Sequence, residues 1–182
     1  MVLVCDFFGV VVSEILPIWF KEKFGDERGA LYKEKYSRLA DIGDISYSEL
    51  VKMVSKEFSL NEQNVEKEWM ALAKPNIEMV KLLKECVHPI VLLSNAPEGL
   101  VEKLIKKYAL NSLFSQEIIS YKYGISKPDE RIYKMVADLY PGECFFFVDD
   151  NAKNLTVPKA FGWDVLLFEE TPECIEKLRR ML

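Results

Sequence analysis

Five short runs, "VLVCDF", "PIVLLSN", "QEIISY", "CFFFVDD" and "DVLLF", are apolar without interruption rather than at every second position. A strand with one face in water alternates, whereas a strand apolar throughout must be covered on both faces. The pattern confines the chain to a parallel sheet enclosed by helices. Segments between the runs carry the helical period. "PEGLVEKLIKKYAL" places Pro97 where a first helical turn tolerates it, and "KPDERIYKMVADLY" runs up to a Pro141-Gly142 turn. "AKNLTVPKAFGW" is predicted to be helical but shortened or kinked at Pro158. "TPECIEKLRRML" is predicted to be a helix capped by Thr171 with Pro172 at its first position.

Residues 14–75 hold no strand-like run and read as a helical insert. Ser46-Tyr47-Ser48-Glu49 has the capping-box spacing, and Asn61 is placed to cap the helix of "NEQNVEKEWMALA". The expected organisation is an α/β core domain formed by residues 1–13 and 76–182, with a helical cap subdomain at 14–75. Trp19, Phe20, Tyr32, Tyr36 and Trp69 are expected to pack inside the insert, and the mixed charges from Lys21 to Lys35 to form a solvated helix face.

A chain of 182 residues with 49% hydrophobic content can bury the core that such a fold needs. Its net charge of -5 and the lack of any Lys/Arg run argue against a nucleic-acid partner. No apolar run approaches the ~18 residues of a membrane span, and Asp6 interrupts the N-terminal run too early for a secretory leader. The expected location is cytoplasmic, without a membrane partner. The four cysteines, Cys5, Cys86, Cys144 and Cys174, form no C-x-x-C pair and are expected as reduced thiols. Cys5 and Cys144 are expected to act as small core hydrophobes. The single histidine, His88, precedes Pro89 at the far end of the second strand, which sets histidine-based hydrolysis aside.

In open parallel sheets, ligands bind beyond the carboxyl ends of the strands. Strand one ends at Asp6, strand two at Ser94-Asn95 and strand four at Asp149-Asp150, and Lys127 follows strand three in "YGISKPDERIY". Three carboxylates at one rim repel one another unless a cation joins them, and a hard divalent ion such as Mg²⁺ suits oxygen ligands. Together the groups make chemical sense for phosphoryl transfer. A carboxylate can attack phosphorus to form an aspartyl-phosphate. The cation and lysine offset charge, while a hydroxyl and backbone N–H groups bind the phosphoryl oxygens. Gly9 allows the backbone to turn closely around such a group.

These motifs resemble those of the haloacid dehalogenase-like (HAD) hydrolase superfamily, over essentially the whole chain. The resemblance implies a Rossmann-like sheet of order 5-4-1-2-3, with a helical cap inserted after strand one. It further implies Asp6 as nucleophile and metal ligand, with the Phe8 backbone carbonyl and Asp150 as Mg²⁺ ligands. Asp149 would sit one step back from the ion or reach it through water. Ser94 and Asn95 would hold phosphate oxygens, and Lys127 would pair with Asp6 and the transferred group. Asn154 falls where many members carry another acid. The implied activity is Mg²⁺-dependent hydrolysis of a small phosphorylated metabolite, by a monomer or homodimer.

Phe8 departs from the phosphatase pattern, whose members mostly carry there a second aspartate that protonates the leaving oxygen. In this the chain is similar to sugar-phosphate phosphatases of the D-x-G-N type, which also lack that acid. An aromatic residue at this place also resembles the 2-haloacid dehalogenases, but those carry small hydroxyl residues in place of Asp149 and Asp150. Three readings follow: a phosphatase, a dehalogenase-type hydrolase, and a catalytically weak protein that binds a phosphorylated ligand or a partner. In the insert, Arg28, Arg38, Asp41 and Asp44 are candidate substrate contacts, although solvated helix ends explain them equally well.

Overall fold

A computed structural model describes residues 1–182. Strand β1 (Val2–Cys5) is followed by four helices, α1 (Leu16–Phe24), α2 (Asp26–Asp41), α3 (Tyr47–Glu57) and α4 (Glu62–Leu72). The chain then runs through α5 (Ile77–Glu85), β2 (Ile90–Ser94), α6 (Leu100–Lys107), β3 (Gln116–Ile119) and α7 (Glu130–Leu139). It ends with β4 (Phe145–Asp149), α8 (Thr156–Ala160), β5 (Asp164–Leu167) and α9 (Pro172–Met181). All strand pairs are parallel in the order β3-β2-β1-β4-β5, which is the expected order read from the opposite edge. No helix is long and apolar enough to cross a membrane.

Uninterrupted apolarity has the expected cause. Successive residues of a strand point to opposite faces, and β1, β2 and β4 are buried along their whole length. Leu3, Cys5, Leu92, Phe146 and Val148 join a cluster with α5, α6, α9 and the helical insert. Val2, Val4, Val91, Leu93, Phe145 and Phe147 join a second cluster with Ile132, Tyr133 and Val136 of α7. The edge strands β3 and β5 begin in solvent and are only partly buried.

Inside the insert the aromatic side chains pack on one another. Phe20 stacks on Tyr36 at 5.5 Å, Trp19 meets Trp69 edge-on at 5.7 Å, and Phe24 lies 4.4 Å from Phe58. Ser46 and Glu49 form the capping box of α3, and Asn61 caps α4 through the Asn64 N–H. Thr171 caps α9 as its sequence predicts. The chain enters and leaves the insert through a paired gateway. Ser13 N donates to Lys74 O at 2.8 Å, Lys74 N donates to Ser13 Oγ at 2.9 Å, and Asn76 N donates to Val11 O at 2.9 Å. On the far side the insert is tied to α6 and the turn that precedes it. Tyr47 N donates to Glu98 O at 3.0 Å, Lys107 Nζ donates to Met70 O at 2.8 Å, and Lys103 pairs with Glu66.

Two local expectations change. Pro97 lies in a turn rather than in α6, because Gly99 takes a left-handed conformation at φ +87° and the helix starts only after it. Cys144 is exposed, since β4 begins one residue later; Cys5 is buried and all four thiols are free. The segment around Pro158 is helical but short, as its sequence predicts: a 3-10 turn, residues 152–155, and the five-residue α8.

Candidate active site

The polar residues at the strand ends converge because β1, β2 and β4 are neighbours whose carboxyl ends share one rim. Asp6 continues the β1 ladder, its N–H donating to Val148 O at 2.9 Å, and Phe7 N–H donates to Asp6 Oδ1 at 2.7 Å. Lys127 Nζ lies 2.8 Å from Asp6 Oδ1 and 2.7 Å from Asp149 Oδ2. Its backbone is clamped by the Asn95 amide, which accepts from Lys127 N at 2.8 Å and donates to Lys127 O at 3.0 Å. Asp149 accepts further bonds from Asn151 N at 2.8 Å and Asn154 Nδ2 at 3.0 Å. Asn154 is itself held by Tyr133, whose hydroxyl donates to its carbonyl at 2.8 Å. Tyr133 therefore packs and orients, and the amide of Asn154 fixes Asp149 where an acid would have repelled it.

One of the sequence-predicted residues, Asn95, is already engaged within the protein, and another, Ser94, is not. Asn95 spends its side-chain oxygen and one amide hydrogen on Lys127, so only its second amide hydrogen and its backbone face other duties. Ser94 is fully buried, and its hydroxyl has no partner in the protein. A buried hydroxyl without a partner is uncommon and marks a donor available to a ligand oxygen.

Carboxylate oxygens of Asp6, Asp149 and Asp150 lie within 4.8 Å of one another. Lys127 is the one ammonium bonded within this group, and it reaches Asp6 and Asp149; Asp150 has no ion pair and feels Lys127 and Lys33 only through space. Burial first, and then the charge of Asp149, pushes the Asp6 carboxyl well above the usual aspartate range, against the pull of Lys127. Burial and Asp149 raise Asp150 in the same way. Burial opposes the charge of Lys127, but Asp6 and Asp149 together outweigh it and hold the amine above the usual lysine range. The cluster is short of positive charge, and its donors are all oxygen, so a hard divalent cation fits it. Gly9 makes room for this geometry. Its φ is +75°, and a Cβ there would come within 2.0 Å of Asp150 Oδ2. The Phe7 carbonyl accepts from Val11 N and Val12 N, whereas the Phe8 carbonyl accepts no backbone N–H. That leaves Phe8 oxygen free for a cation.

A cavity of about 120 Å³ lies between this rim and the insert, lined on the rim side by Asp6, Phe8, Asn95, Lys127 and Asp150. From the insert come Glu14, Lys33, Ser37 and Asp41, with Leu50 and Trp69 as apolar wall. Of the four candidate contacts in the insert, Asp41 alone reaches the cavity; Arg28, Arg38 and Asp44 do not line it. Sequence reasoning missed Glu14, Lys33 and Ser37. Burial, with Asp150 next, pushes the Glu14 carboxyl up to about 7. Burial likewise pushes Asp41 up to about 6, against Lys33 and Lys127.

The model of the haloacid dehalogenase-like hydrolase family matches residues 2–162, and the chain belongs to that family. It is a hydrolase of the Rossmann-like HAD fold. No curated protein sequence matches it significantly. Among solved structures it is similar to the HAD family enzyme BT-2542 of Bacteroides thetaiotaomicron in its magnesium complex. The TM-score is 0.75 at 20% identity, covering 97% of both chains. Another structure of that enzyme holds magnesium and inorganic phosphate, with a TM-score of 0.69 at 21% identity and coverage of 93% and 94%. The L-2-haloacid dehalogenase of Xanthobacter autotrophicus matches with a TM-score of 0.65 at 17% identity, over 90% of this chain and 75% of its own. At these identities the likeness is one of fold.

Two outcomes follow from the site's geometry. Gly9→Ala is expected to cost roughly 1–3 kcal/mol through its positive φ and to weaken divalent-cation binding about 10–100-fold by displacing Asp150. Titration calorimetry checks the second effect, and unchanged cation affinity would contradict the role given to the glycine. Glu14 and Asp41 take up protons on folding at higher pH than ordinary carboxyls do. Their contribution to stability is present at about pH 4 and is lost as pH rises through about 6 to 7. Melting temperature in EDTA is expected to fall across that window, and less steeply in Glu14→Gln.

Proposed function

We propose that this hydrolase is a Mg²⁺-dependent phosphatase that cleaves a small phosphorylated metabolite through an aspartyl-phosphate on Asp6. The observation that carries the reading is the cluster of Asp6, Asp149 and Asp150 around a single buried lysine. Such a surplus of negative charge suits a site that gathers a cation and a phosphate. It serves no purpose in displacing halide from a neutral carbon. The partly apolar, narrow cavity supports a small substrate, enclosed by helices α1–α4 acting as a cap over the rim. Among the similar structures, the magnesium and phosphate complex of BT-2542 agrees with this reading.

Asp6, Asp150 and the Phe8 carbonyl would hold the cation. Asp149, already bonded to Lys127, Asn151 and Asn154, would act through the lysine or through water. Bound Mg²⁺ supplies positive charge to the phosphoryl oxygens. Lys127 orients the Asp6 carboxylate toward phosphorus and shares the negative charge that moves onto the transferred group. The Ser94 hydroxyl and the second amide hydrogen of Asn95 bind phosphoryl oxygens. Asp6 Oδ forms a bond to phosphorus as the bond to the leaving oxygen breaks. Water then attacks phosphorus, releasing phosphate and restoring the Asp6 carboxylate.

The test is phosphate release from para-nitrophenyl phosphate and a panel of sugar phosphates, with Mg²⁺ and with EDTA. Activity is expected with Mg²⁺ alone, and Asp6→Asn is expected to reduce it to background. Chloride release from 2-chloropropionate in EDTA, without phosphate release from any substrate, would move the assignment to the dehalogenases.

A further inference from the structure

Phosphoester hydrolysis needs a proton for the leaving oxygen and a base for the attacking water, and Phe8 can provide neither. The phenylalanine lines the cavity beside Asp6, so the expected place for an acid is filled by an apolar ring. A carboxyl must then reach the cavity from another element. The insert offers two, Glu14 and Asp41.

Glu14 sits on a tightly held stretch of backbone. It is the only charged residue between Asp6 and Lys21, within "VVVSEILPIW". Its neighbours fix its backbone: Ser13 is bonded to Leu72 O at 2.7 Å and to Lys74, and Ile15 is buried, with its carbonyl accepting from Trp19 N at 2.9 Å. No hydrogen bond or ion pair engages its carboxyl. The charges that face it are Asp150 and Lys127 from the rim and Lys33 and Asp41 from α2. Burial raises Asp41 as well, but the charges that face it are the two lysines, which favour its ionised form, whereas Glu14 also faces the carboxylates of Asp150 and Asp41.

Resting on the phosphatase reading, we infer that Glu14 is the catalytic acid and base of this enzyme, doing from the gateway of the insert what Phe8 cannot. In the first step the Glu14 proton passes to the leaving oxygen as its bond to phosphorus breaks, giving a free alcohol and a Glu14 carboxylate. In the second step that carboxylate takes a proton from water as the water oxygen bonds to phosphorus. The bond from phosphorus to Asp6 breaks, and inorganic phosphate leaves with Glu14 protonated again. Burial and the nearby Asp150 favour a carboxyl that is still partly protonated near neutrality, the condition under which one group serves both steps.

The experiment compares alkyl and para-nitrophenyl phosphates in the full-length protein with Mg²⁺. Glu14→Gln is expected to lower kcat/KM for the alkyl substrate by about 10²–10⁴-fold. The aryl substrate, whose leaving oxygen needs no proton, should lose far less. The alkaline fall in the wild-type alkyl profile should vanish in the variant, a change that lost positioning alone would not produce. Phe8→Asp placed on Glu14→Gln should recover alkyl hydrolysis. If Glu14→Gln does not fold, Glu14→Asp carries the comparison, with the same selective loss expected. Equal losses on both substrates, no loss, or a selective loss in Asp41→Asn instead would overturn the assignment while leaving the phosphatase reading intact. A wild-type protein inactive on every phosphate would overturn both.

Discussion

The ammonium of Lys127, held between the carboxylates of Asp6 and Asp149, is the contact on which the site depends. Charges buried at this depth persist only when they are paired and hydrogen-bonded, and each partner here is supplied by a different element. Asp6 comes from the end of β1, Asp149 from the end of β4, and the lysine from the loop after β3, fastened by the amide at the end of β2. The parallel order β3-β2-β1-β4-β5 brings those ends side by side. In return, the lysine fixes their relative positions more tightly than strand pairing alone would. One positive charge cannot satisfy three acids, so the same contact that organises the rim leaves it with an appetite for a cation.

The rim and the insert divide the work differently from what their separate positions in the chain suggest. A single apolar cluster runs from Leu3 and Cys5 in β1 through Phe7, Val10 and Ile15 into Trp19, Tyr36 and Trp69. The cavity therefore has walls from both parts but one continuous apolar foundation. The clustered carboxylates and their lysine lie on the rim side, while Glu14, Lys33, Asp41 and the apolar wall of Leu50 and Trp69 come from the insert. Chemistry that must be the same for every substrate can be built into the first, and selectivity into the second.

Much of the rim was legible because strand ends in a parallel sheet are set by pattern: an apolar run that stops at a polar residue announces where that residue lies. Asp6, Ser94, Asn95, Asp149 and Asp150 could all be placed in this way, and Lys127 by its position after the third run. The partners of those side chains were not legible. That Asn95 would grip the Lys127 backbone depends on how two loops meet across the rim, which no local pattern encodes. The insert was harder still. Its helices and caps followed from spacing, but which helix face turns toward the rim depends on docking against α6. Lys33 thus looked like a member of a solvated face, and Ser37 carried no signal at all. Glu14 did leave a trace, as an isolated charge in an apolar stretch, where burial without a purpose would be costly.

Ser13 and Lys74 meet although 61 residues separate them along the chain. To the sheet, the whole insert is a detour that returns to its starting point. The entropic cost of closing such a loop grows only slowly, by about 0.6 kcal/mol for each doubling of length. A lineage could lengthen, trim or exchange the helices beyond this gateway without altering strand register or disturbing the lysine at the rim. The limit on such exchange comes from the shared apolar foundation, which any replacement would have to cover. The gateway thus works as a hinge point of design: what lies beyond it can be rebuilt while the rim keeps its shape.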